Sequence, residues 1–294
     1  MLAEIRFDVW GCRGSRSLAP GRSRIGAYTS CYSLCDGEEL FVFDAGRGIS
    51  ILSEATATEP RFANLKRIHI LVSHAHMDHW EGLKDAAWFW TPSKNLSVTI
   101  YGTQEALDTI QRGLAPPAFV PLDVLAQSSV GKLTWERVAA GDTLATGAHA
   151  VEPFQLNHYS GLTGARRDLD TVGYRVAIAG GPTVAYLCDH EPTPETEAAE
   201  DTAMKNASLV VLDCQFADRK DQAFGHGSQE HAAACARRHP TSVILCAHHG
   251  PRSDEHIEDG LRRHGAGLPN LGLAIEGRGL QWDASLAKFT PPAG

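Results

Sequence analysis

The sequence lacks a long uninterrupted apolar run and an N-terminal export signal. A membrane-spanning helix needs about 20 consecutive apolar residues, and no segment of the 294 residues approaches this length. The first residues, Met1 to Phe7, contain no apolar signal core and lead directly into strand-like sequence. These absences argue against a membrane protein and lead us to expect a cytoplasmic location.

Paired cysteines and an excess of positive charge are also lacking. The seven cysteines are an odd number, and Cys31-x3-Cys35 has no matching second pair, so we expect inert thiols rather than disulfides or a zinc knuckle. Lys and Arg number 27 against 35 Asp and Glu, which gives a formal net charge of −8. This charge disfavours general binding to nucleic acids or membranes, and it still allows a small anionic substrate held by local charges.

Strand-like and helical patterns alternate along the chain, with no linker between them. The strand-like runs are Ile5–Trp10, Tyr32–Leu34, Leu40–Asp44, Arg67–Ser73, Ser97–Tyr101, Leu133–Val138, Ala150–Leu156, Val172–Ile178, Thr183–Cys188, Leu209–Leu212 and Ser242–Cys246. The helical patterns are Gly82–Trp90, Gln104–Arg112, Pro194–Lys205, Ser228–Arg238 and Asp254–His264. Two β-rich halves, about 1–140 and 141–294, predict a single α/β domain in which two sheets pack face to face with helices outside.

The densest chemistry lies in residues 73–79, Ser-His-Ala-His-Met-Asp-His. Four side chains that can bind metal follow an apolar strand-like run within six residues: His74, His76, Asp78 and His79. His74 and His76 are expected to point to the same side, because side chains alternate along a strand. The turn that follows can aim Asp78 and His79 at the same pocket. Imidazole and carboxylate ligands suit Zn²⁺, Mn²⁺ or iron, so this segment predicts a transition-metal site.

The His-x-His-x-Asp-His motif resembles the signature of the metallo-β-lactamase superfamily, and other motifs follow in that superfamily's order. The early Asp44-Ala45-Gly46 resembles a motif whose buried aspartate supports the metal-binding loop. The later matches are His158 after a strand-like run, Asp189 in Cys-Asp-His, and His248 in Ala-His-His-Gly. The resemblance covers nearly the whole chain and implies a four-layer αββα sandwich of two mixed sheets.

The resemblance also implies a dinuclear metal centre. One ion would be held by His74, His76 and His158. The other would be held by Asp78, His79 and His248, with Asp189 bridging the two. Two divalent ions are implied, zinc first with manganese or iron as alternatives, and a hydroxide that bridges them would attack the substrate. Asp78 is therefore expected to be a catalytic residue as well as a ligand.

A second pair of residues indicates the reaction. Asp213 and His226 resemble the acid–histidine pair of the ribonuclease Z-like phosphodiesterases, in which the carboxylate orients a histidine that acts as general acid. Residues 9–15 and the Asp-His-Glu at 189–191 resemble the same branch. The resemblance implies a hydrolase acting on a small or cyclic phosphodiester. A tRNA-maturing enzyme is not expected, because no long tRNA-binding arm separates the metal motifs.

Candidate substrate contacts are Arg13, His249, Arg166 and Arg167. Arg13 lies in loop 11–26, which either grips a phosphate or is an ordinary solvated basic loop. Arg166 and Arg167 lie in segment 159–170, which replaces the short glycine-rich turn usual after the third histidine. This segment is either a substrate-recognition loop or a surface insertion. The expected partner is a small anionic molecule, and a homodimer stays open.

Three other interpretations compete with a phosphodiesterase. The same metal set would serve a lactonase, a thioesterase or a β-lactamase, since fold alone does not determine substrate. A diiron oxidoreductase usually has an acidic residue at the position of His76 and a flavin domain, which this chain lacks. A non-catalytic binding protein usually loses metal ligands, whereas the full set is present here.

Overall fold

In the computed structural model, residues 4–161 and 166–292 are described, and most of their strands form two large β-sheets. The strands are β1 (Arg6–Gly11), β2 (Cys31–Cys35), β3 (Glu39–Phe43), β4 (Arg67–Leu71), β5 (Ser93–Gly102), β6 (Val130–Arg137), β7 (Leu144–Thr146), β8 (His149–Gln155), β9 (Tyr159–Ser160), β10 (Arg167–Asp168), β11 (Val172–Ala177), β12 (Thr183–Leu187), β13 (Leu209–Asp213), β14 (Val243–Ala247), β15 (Leu271–Leu273), β16 (Gly279–Asp283) and β17 (Lys288–Thr290). The helices are α1 (Gly48–Thr58), α2 (Gln104–Gly113), α3 (Leu122–Ser129), α4 (Glu197–Met204), α5 (Gln229–Arg238) and α6 (Asp254–His264).

Both sheets are mixed. The first has the order β17-β16-β1-β2-β3-β4-β5-β6, and the second has the order β15-β14-β13-β12-β11-β8-β7. Strands β3 to β6 run parallel, as do β12 to β15, while the remaining neighbours in the two sheets are antiparallel. The carboxyl ends of parallel strands meet at one edge of a sheet, which is where α/β proteins place their ligands.

Alternating apolar residues divide the core into layers. In β3, Phe41 and Phe43 join the apolar cluster between the two sheets, whereas Leu40 and Val42 join the cluster beneath the outer helices. In β12, Val184 and Tyr186 face the other sheet, and Ala185 and Leu187 pack with residues of α4 and α5. Because both faces of each sheet are covered, the strands read as nearly continuous apolar runs. The predicted αββα sandwich is confirmed.

One predicted helix does not form. Instead of a helix over 82–90, the chain makes short 3-10 turns at Met77–His79, Glu81–Asp85 and Ala87–Phe89. The backbone N–H of Gly82 donates to Ala45 O at 3.0 Å, and a Cβ at Gly82 would lie 2.2 Å from Gly46 O. Close packing against residues 45–46 therefore decides this conformation. Helices α1 and α3 and the C-terminal strands were not predicted.

The C-terminal strands return to the first sheet. Strand β16 pairs antiparallel with β1, and β17 pairs with β16. The first sheet is thus completed by residues from the far end of the chain, which the division into halves at about residue 140 did not anticipate. Within the part of the chain that the structure describes, no helix is both long and apolar enough to cross a membrane.

Candidate metal centre

Seven histidine and aspartate side chains converge where the strands of both sheets end. Residues 74–79 follow β4, and His158 follows β8. Asp189 and His248 follow the neighbouring parallel strands β12 and β14. His248 has φ 51°, a left-handed conformation that is uncommon for a residue with a side chain. The structure therefore brings together all seven residues that the sequence predicts as metal ligands.

The first group of ligand atoms consists of three imidazoles and one carboxylate: His74, His76, His158 and Asp189. His158 Nε2 lies 3.0 Å from His76 Nδ1. Asp189 Oδ2 lies 3.8 Å from His74 Nε2 and 3.7 Å from His158 Nε2. These four potential ligand atoms all lie within 4.8 Å of one another, and four is the number of ligands that a tetrahedral metal site uses.

The second group consists of Asp78, His79 and His248. Asp78 Oδ2 lies 3.3 Å from His79 Nε2 and 3.5 Å from His248 Nε2. Asp189 approaches this group as well, with Oδ2 at 3.3 Å from His79 Nε2 and Oδ1 at 3.2 Å from His248 Nε2. Asp189 is therefore placed between the groups, where a bridging ligand would lie.

Hydrogen bonds on the outer side of the rings determine which nitrogens carry protons. His79 Nδ1 donates to Asp44 Oδ2 at 2.6 Å, and His158 Nδ1 donates to Gly225 O at 2.8 Å. Because a carboxylate and a carbonyl have no proton to give, Nδ1 of each ring carries a proton, and Nε2 faces the interior, where it can bind a metal ion in place of a second proton. This arrangement, in which an outer partner orients the ring, is typical of metal-binding histidines.

Buried atoms without partners show that the pocket suits cations. Among residues 4–161 and 166–292, His74 Nε2, His79 Nε2 and Asp189 Oδ1 are buried without a hydrogen-bond partner. Burial and neighbouring imidazoles lower the pKa of His74 well below its ordinary value, so this ring is a neutral ligand. Burial would also lower the pKa of His79, but the carboxylates of Asp189, Asp78 and Asp44 outweigh it and raise that pKa. Lone pairs and carboxylates that face each other need a positive charge, and the donor set fits divalent metal ions.

Asp44 supports the loop that carries four of the ligands. It is fully buried, and its carboxylate accepts hydrogen bonds from His79 Nδ1, from the hydroxyl of Ser73 at 2.9 Å and from the hydroxyl of Tyr186 at 2.5 Å. Ser73 Oγ also lies 2.9 Å from His74 Nδ1. Sequence reasoning missed Ser73 and Tyr186, although Ser73 directly precedes the histidine motif.

Asp213 and His226 form a hydrogen-bonded pair beside these groups. Asp213 Oδ2 accepts from His226 Nδ1 at 2.8 Å and from the backbone N–H of His190 at 3.1 Å. Burial lowers the pKa of His226, but the carboxylates of Asp213 and Asp189 outweigh it and raise the pKa to about 9. His226 lines a cleft of about 360 Å³ together with Asp78, Asp189 and His248. Since Nδ1 is engaged, Nε2 is the nitrogen left to face this cleft.

Two predicted substrate contacts, Arg13 and His249, are instead buried. Arg13 is 1% exposed and ion-pairs with Asp254 at 2.9 Å. Its remaining hydrogen bonds run to the Ser23 hydroxyl and to the carbonyls of Gly26, Gly250 and Arg252. His249 is also 1% exposed, its Nε2 lies 3.1 Å from Ala274 O, and burial lowers its pKa to about 4. The prediction that these residues contact substrate is wrong for both, because neither lines the metal cleft and the Arg13 guanidinium already donates to buried partners within the protein.

Arg166 and Arg167 are exposed and flank the cleft without lining it. The guanidinium of Arg166 lies 3.9 Å from the centre of the Tyr159 ring, and Tyr159 does line the cleft. Arg167 pairs with Glu105 on α2. Residues 162–165 of the predicted recognition loop lie outside the described residues, so a role for the two arginines in substrate binding stays a prediction.

The chain matches one family of known proteins. Residues 40–249, more than half of the 294-residue chain, match the family model described as Beta-lactamase superfamily domain. No curated protein matches the sequence.

Several solved structures are similar along almost their whole length. A diphosphatase from the PhnP family is 17% identical, with a TM-score of 0.67 and coverage of 95% of this chain and 98% of that chain. The Zn²⁺-bound PqqB from Methylobacterium extorquens is 16% identical, with a TM-score of 0.66 and coverage of 94% and 99%. The human short-form tRNase Z (ELAC1) is 17% identical, with a TM-score of 0.61 and coverage of 93% and 98%. At this identity the similarity establishes the fold, and together with the family match it shows that the chain belongs to the metallo-β-lactamase superfamily of metal-dependent hydrolases.

Proposed function

We propose that this protein is a phosphodiesterase that uses two divalent metal ions, zinc first, to hydrolyse a small or cyclic phosphodiester. The observation that carries the proposal is the Asp213–His226 pair, which opens onto the same cleft as both ligand groups. Hydrolysis of a phosphodiester expels an alkoxide that needs a proton. A histidine oriented by a carboxylate is suited to deliver that proton near neutral pH.

Asp213, His226 and the metal ligands have separate roles in this reaction. Asp213 holds His226 through Nδ1, so that the Nε2 proton can pass to the leaving oxygen. The carboxylate also stabilises the imidazolium before transfer, in line with the raised pKa of His226. The seven ligand side chains would hold the two divalent ions beside this pair. Two bound divalent ions would supply Lewis-acid activation of the phosphoryl oxygen and a hydroxide nucleophile near neutral pH.

The cleft and the charge favour a small substrate. A volume of about 360 Å³ is at the lower end of the range of about 300–1,000 Å³ typical of small-molecule sites. The net charge of −8 opposes long-range attraction of a large polyanion. Solved relatives named as a diphosphatase and a tRNase Z support chemistry at phosphorus on this fold. A cytoplasmic location stays a prediction.

Metal content and turnover measured on one sample would test the proposal. Protein purified without chelator should contain close to two ions per chain and hydrolyse bis-p-nitrophenyl phosphate, and a chelator should abolish this turnover. A lactone, a thioester and a β-lactam serve as alternative substrates in the same assay. Turnover of one of these without phosphodiester turnover would favour the competing hydrolases. Protein that lacks metal and takes up neither added zinc nor added manganese would contradict the proposed centre.

A further inference from the structure

Two large apolar side chains are exposed at the metal cleft. Met77 is 62% exposed and Phe224 is 48% exposed, and both line the cleft with Asp78, His226 and His248. Isolated exposed apolar residues are common on protein surfaces and need no explanation by themselves. Phe224, however, is also unusual in its backbone.

Phe224 occupies a turn position that disfavours it. The N–H of His226 donates to Ala223 O at 3.2 Å, which closes a four-residue turn with Phe224 and Gly225 at its centre. Phe224 has φ 60° and Gly225 has φ 81°. Two central residues with positive φ are typical of type I′ turns, where Asn, Asp and Gly are preferred and a bulky residue is strained. Neither local conformation nor burial explains a phenylalanine here.

The turn is held firmly against the metal centre. The Gly225 N–H donates to Glu191 Oε2 at 2.9 Å, and Gly225 O accepts from His158 Nδ1 at 2.8 Å. Glu191 Oε2 also accepts from the hydroxyl of Tyr159 at 2.8 Å. A Cβ at position 225 would lie 2.4 Å from His158 Nδ1, so glycine is required there. The Phe224 ring is therefore presented at a defined place beside the ligands.

We propose that Phe224, together with Met77, recognises an aromatic ring on the ester group of the substrate. This inference rests on the proposed phosphodiesterase function and narrows its substrate class to aryl or nucleoside esters. A phenylalanine ring and a methionine thioether both make favourable contacts with the face or edge of an aromatic ring. Such a contact contributes on the order of 10-fold in affinity.

Direct binding measurements test this inference without turnover. The zinc-loaded full-length protein is titrated calorimetrically with phenyl phosphate, thymidine 5′-phosphate and methyl phosphate. The wild type should bind at least one aromatic ligand about 10-fold more tightly than methyl phosphate. Phe224→Gly should reduce this preference to less than about 2-fold, whereas Phe224→Tyr should keep it. A preference for phenyl phosphate that depends on Phe224 would indicate aryl esters as substrates, and such a preference for thymidine 5′-phosphate would indicate nucleoside esters.

Stability and metal content separate recognition from folding. Phe224→Gly should retain the wild-type zinc content and raise the melting temperature by about 2 °C, because glycine adopts positive φ without strain. Leu286→Ala, which alters a side chain that is 57% exposed and does not line the cleft, is the matched control and should change neither property. A wild type without aromatic preference, or a preference that survives in Phe224→Gly, would overturn the inference. If Phe224→Gly folds poorly, Phe224→Asn replaces it, since asparagine also suits this turn.

The result can be distinguished from failure of the proposed function. A preference for aromatic ligands that depends on Phe224, found without phosphodiester turnover, would support the recognition surface and contradict the reaction. Phosphodiester turnover without the preference would support the reaction and contradict the role of Phe224.

Discussion

Glu200 on α4 is a buried carboxylate whose replacement should destabilise the protein. It is 2% exposed, and it accepts hydrogen bonds from His190 Nε2 at 3.0 Å and from His231 Nε2 at 2.7 Å. The second nitrogen of each ring is already an acceptor, for the Asn157 N–H at 3.0 Å and for the Arg219 guanidinium at 2.9 Å. Both Nε2 atoms must therefore carry the proton, and only a group with two acceptor oxygens satisfies both.

The expected loss of stability in Glu200→Gln follows from these donors and acceptors. In Glu200→Gln the amide offers one oxygen and one NH₂ group, so one buried N–H would face another N–H. A buried donor left unsatisfied costs about 1–3 kcal/mol, and breaking a buried charged network costs about 3–5 kcal/mol. We expect Glu200→Gln to lower the free energy of unfolding by roughly 3 kcal/mol, measured by urea denaturation of the metal-free protein at pH 7.

The pH dependence provides a second test of the same reasoning. Burial would raise the pKa of Glu200, but the hydrogen bonds from His190 and His231 outweigh it and hold that pKa below the ordinary value of 4.5. A carboxylate with a lowered pKa in the folded state contributes its full stability above the unfolded value and loses it as the pH falls. The difference in unfolding free energy between wild type and Glu200→Gln should therefore be largest at pH 7 and shrink below about pH 4.5.

A neighbouring glutamate supplies the control. Glu197 lies on the same helix, its side chain is 53% exposed, and it pairs with Arg238 at 3.2 Å. Exposed ion pairs contribute about 0–1 kcal/mol, so Glu197→Gln should be nearly neutral. A decrease in the free energy of unfolding below about 1 kcal/mol in Glu200→Gln, or a decrease that stays constant down to pH 4, would contradict the proposed hydrogen-bonding role of Glu200.

Three further predictions concern the cleft and its surroundings. Asp78→Ala should abolish turnover and reduce bound metal by about one ion per chain in elemental analysis. The control Asp85→Ala, at an exposed neighbouring site, should leave turnover and metal content unchanged. Full activity of Asp78→Ala with unchanged metal content would contradict the ligand assignment. His226→Ala should slow hydrolysis of alkyl esters far more than of p-nitrophenyl esters, whose leaving group needs no proton, and equal losses would exclude a general acid. Arg13→Ala should lower the free energy of unfolding by roughly 3 kcal/mol with little change in KM. Arg22→Ala, at an exposed position, is the control and should change neither quantity. A large rise in KM for Arg13→Ala without loss of stability would instead support a role of Arg13 in substrate binding.

Predictions from local patterns agreed with the structure where neighbours in sequence are also neighbours in space. Four ligands lie within residues 74–79, so the alternation of side chains after a strand already places them on one side. Strands β3 and β12 were recognisable because their residues are apolar on both faces. The segment 82–90 failed for the opposite reason, since its contact with residues 45–46 outweighs its helical pattern.

Proximity to a ligand in sequence did not predict access to the cleft. Arg13 and His249 lie in segments that also carry cleft residues, Ser15 and His248, yet both are buried. Phe224 is apolar yet exposed, because a turn fixed by Glu191 and His158 keeps it out of the core. Burial is a property of the packed chain, and a charge or an apolar group in the sequence does not reveal it.

The family, the fold class and the candidate ligand set could be predicted from the sequence, because each rests on motifs or on periodicity along short segments. The packed structure was needed to show which side chains face the cleft, which form buried ion pairs, and how the hydrogen bonds of Glu200 are satisfied. These properties depend on contacts between residues that lie far apart in the chain. The solvent exposure and the hydrogen-bond partners of each side chain are therefore established only when the two sheets and their helices have packed.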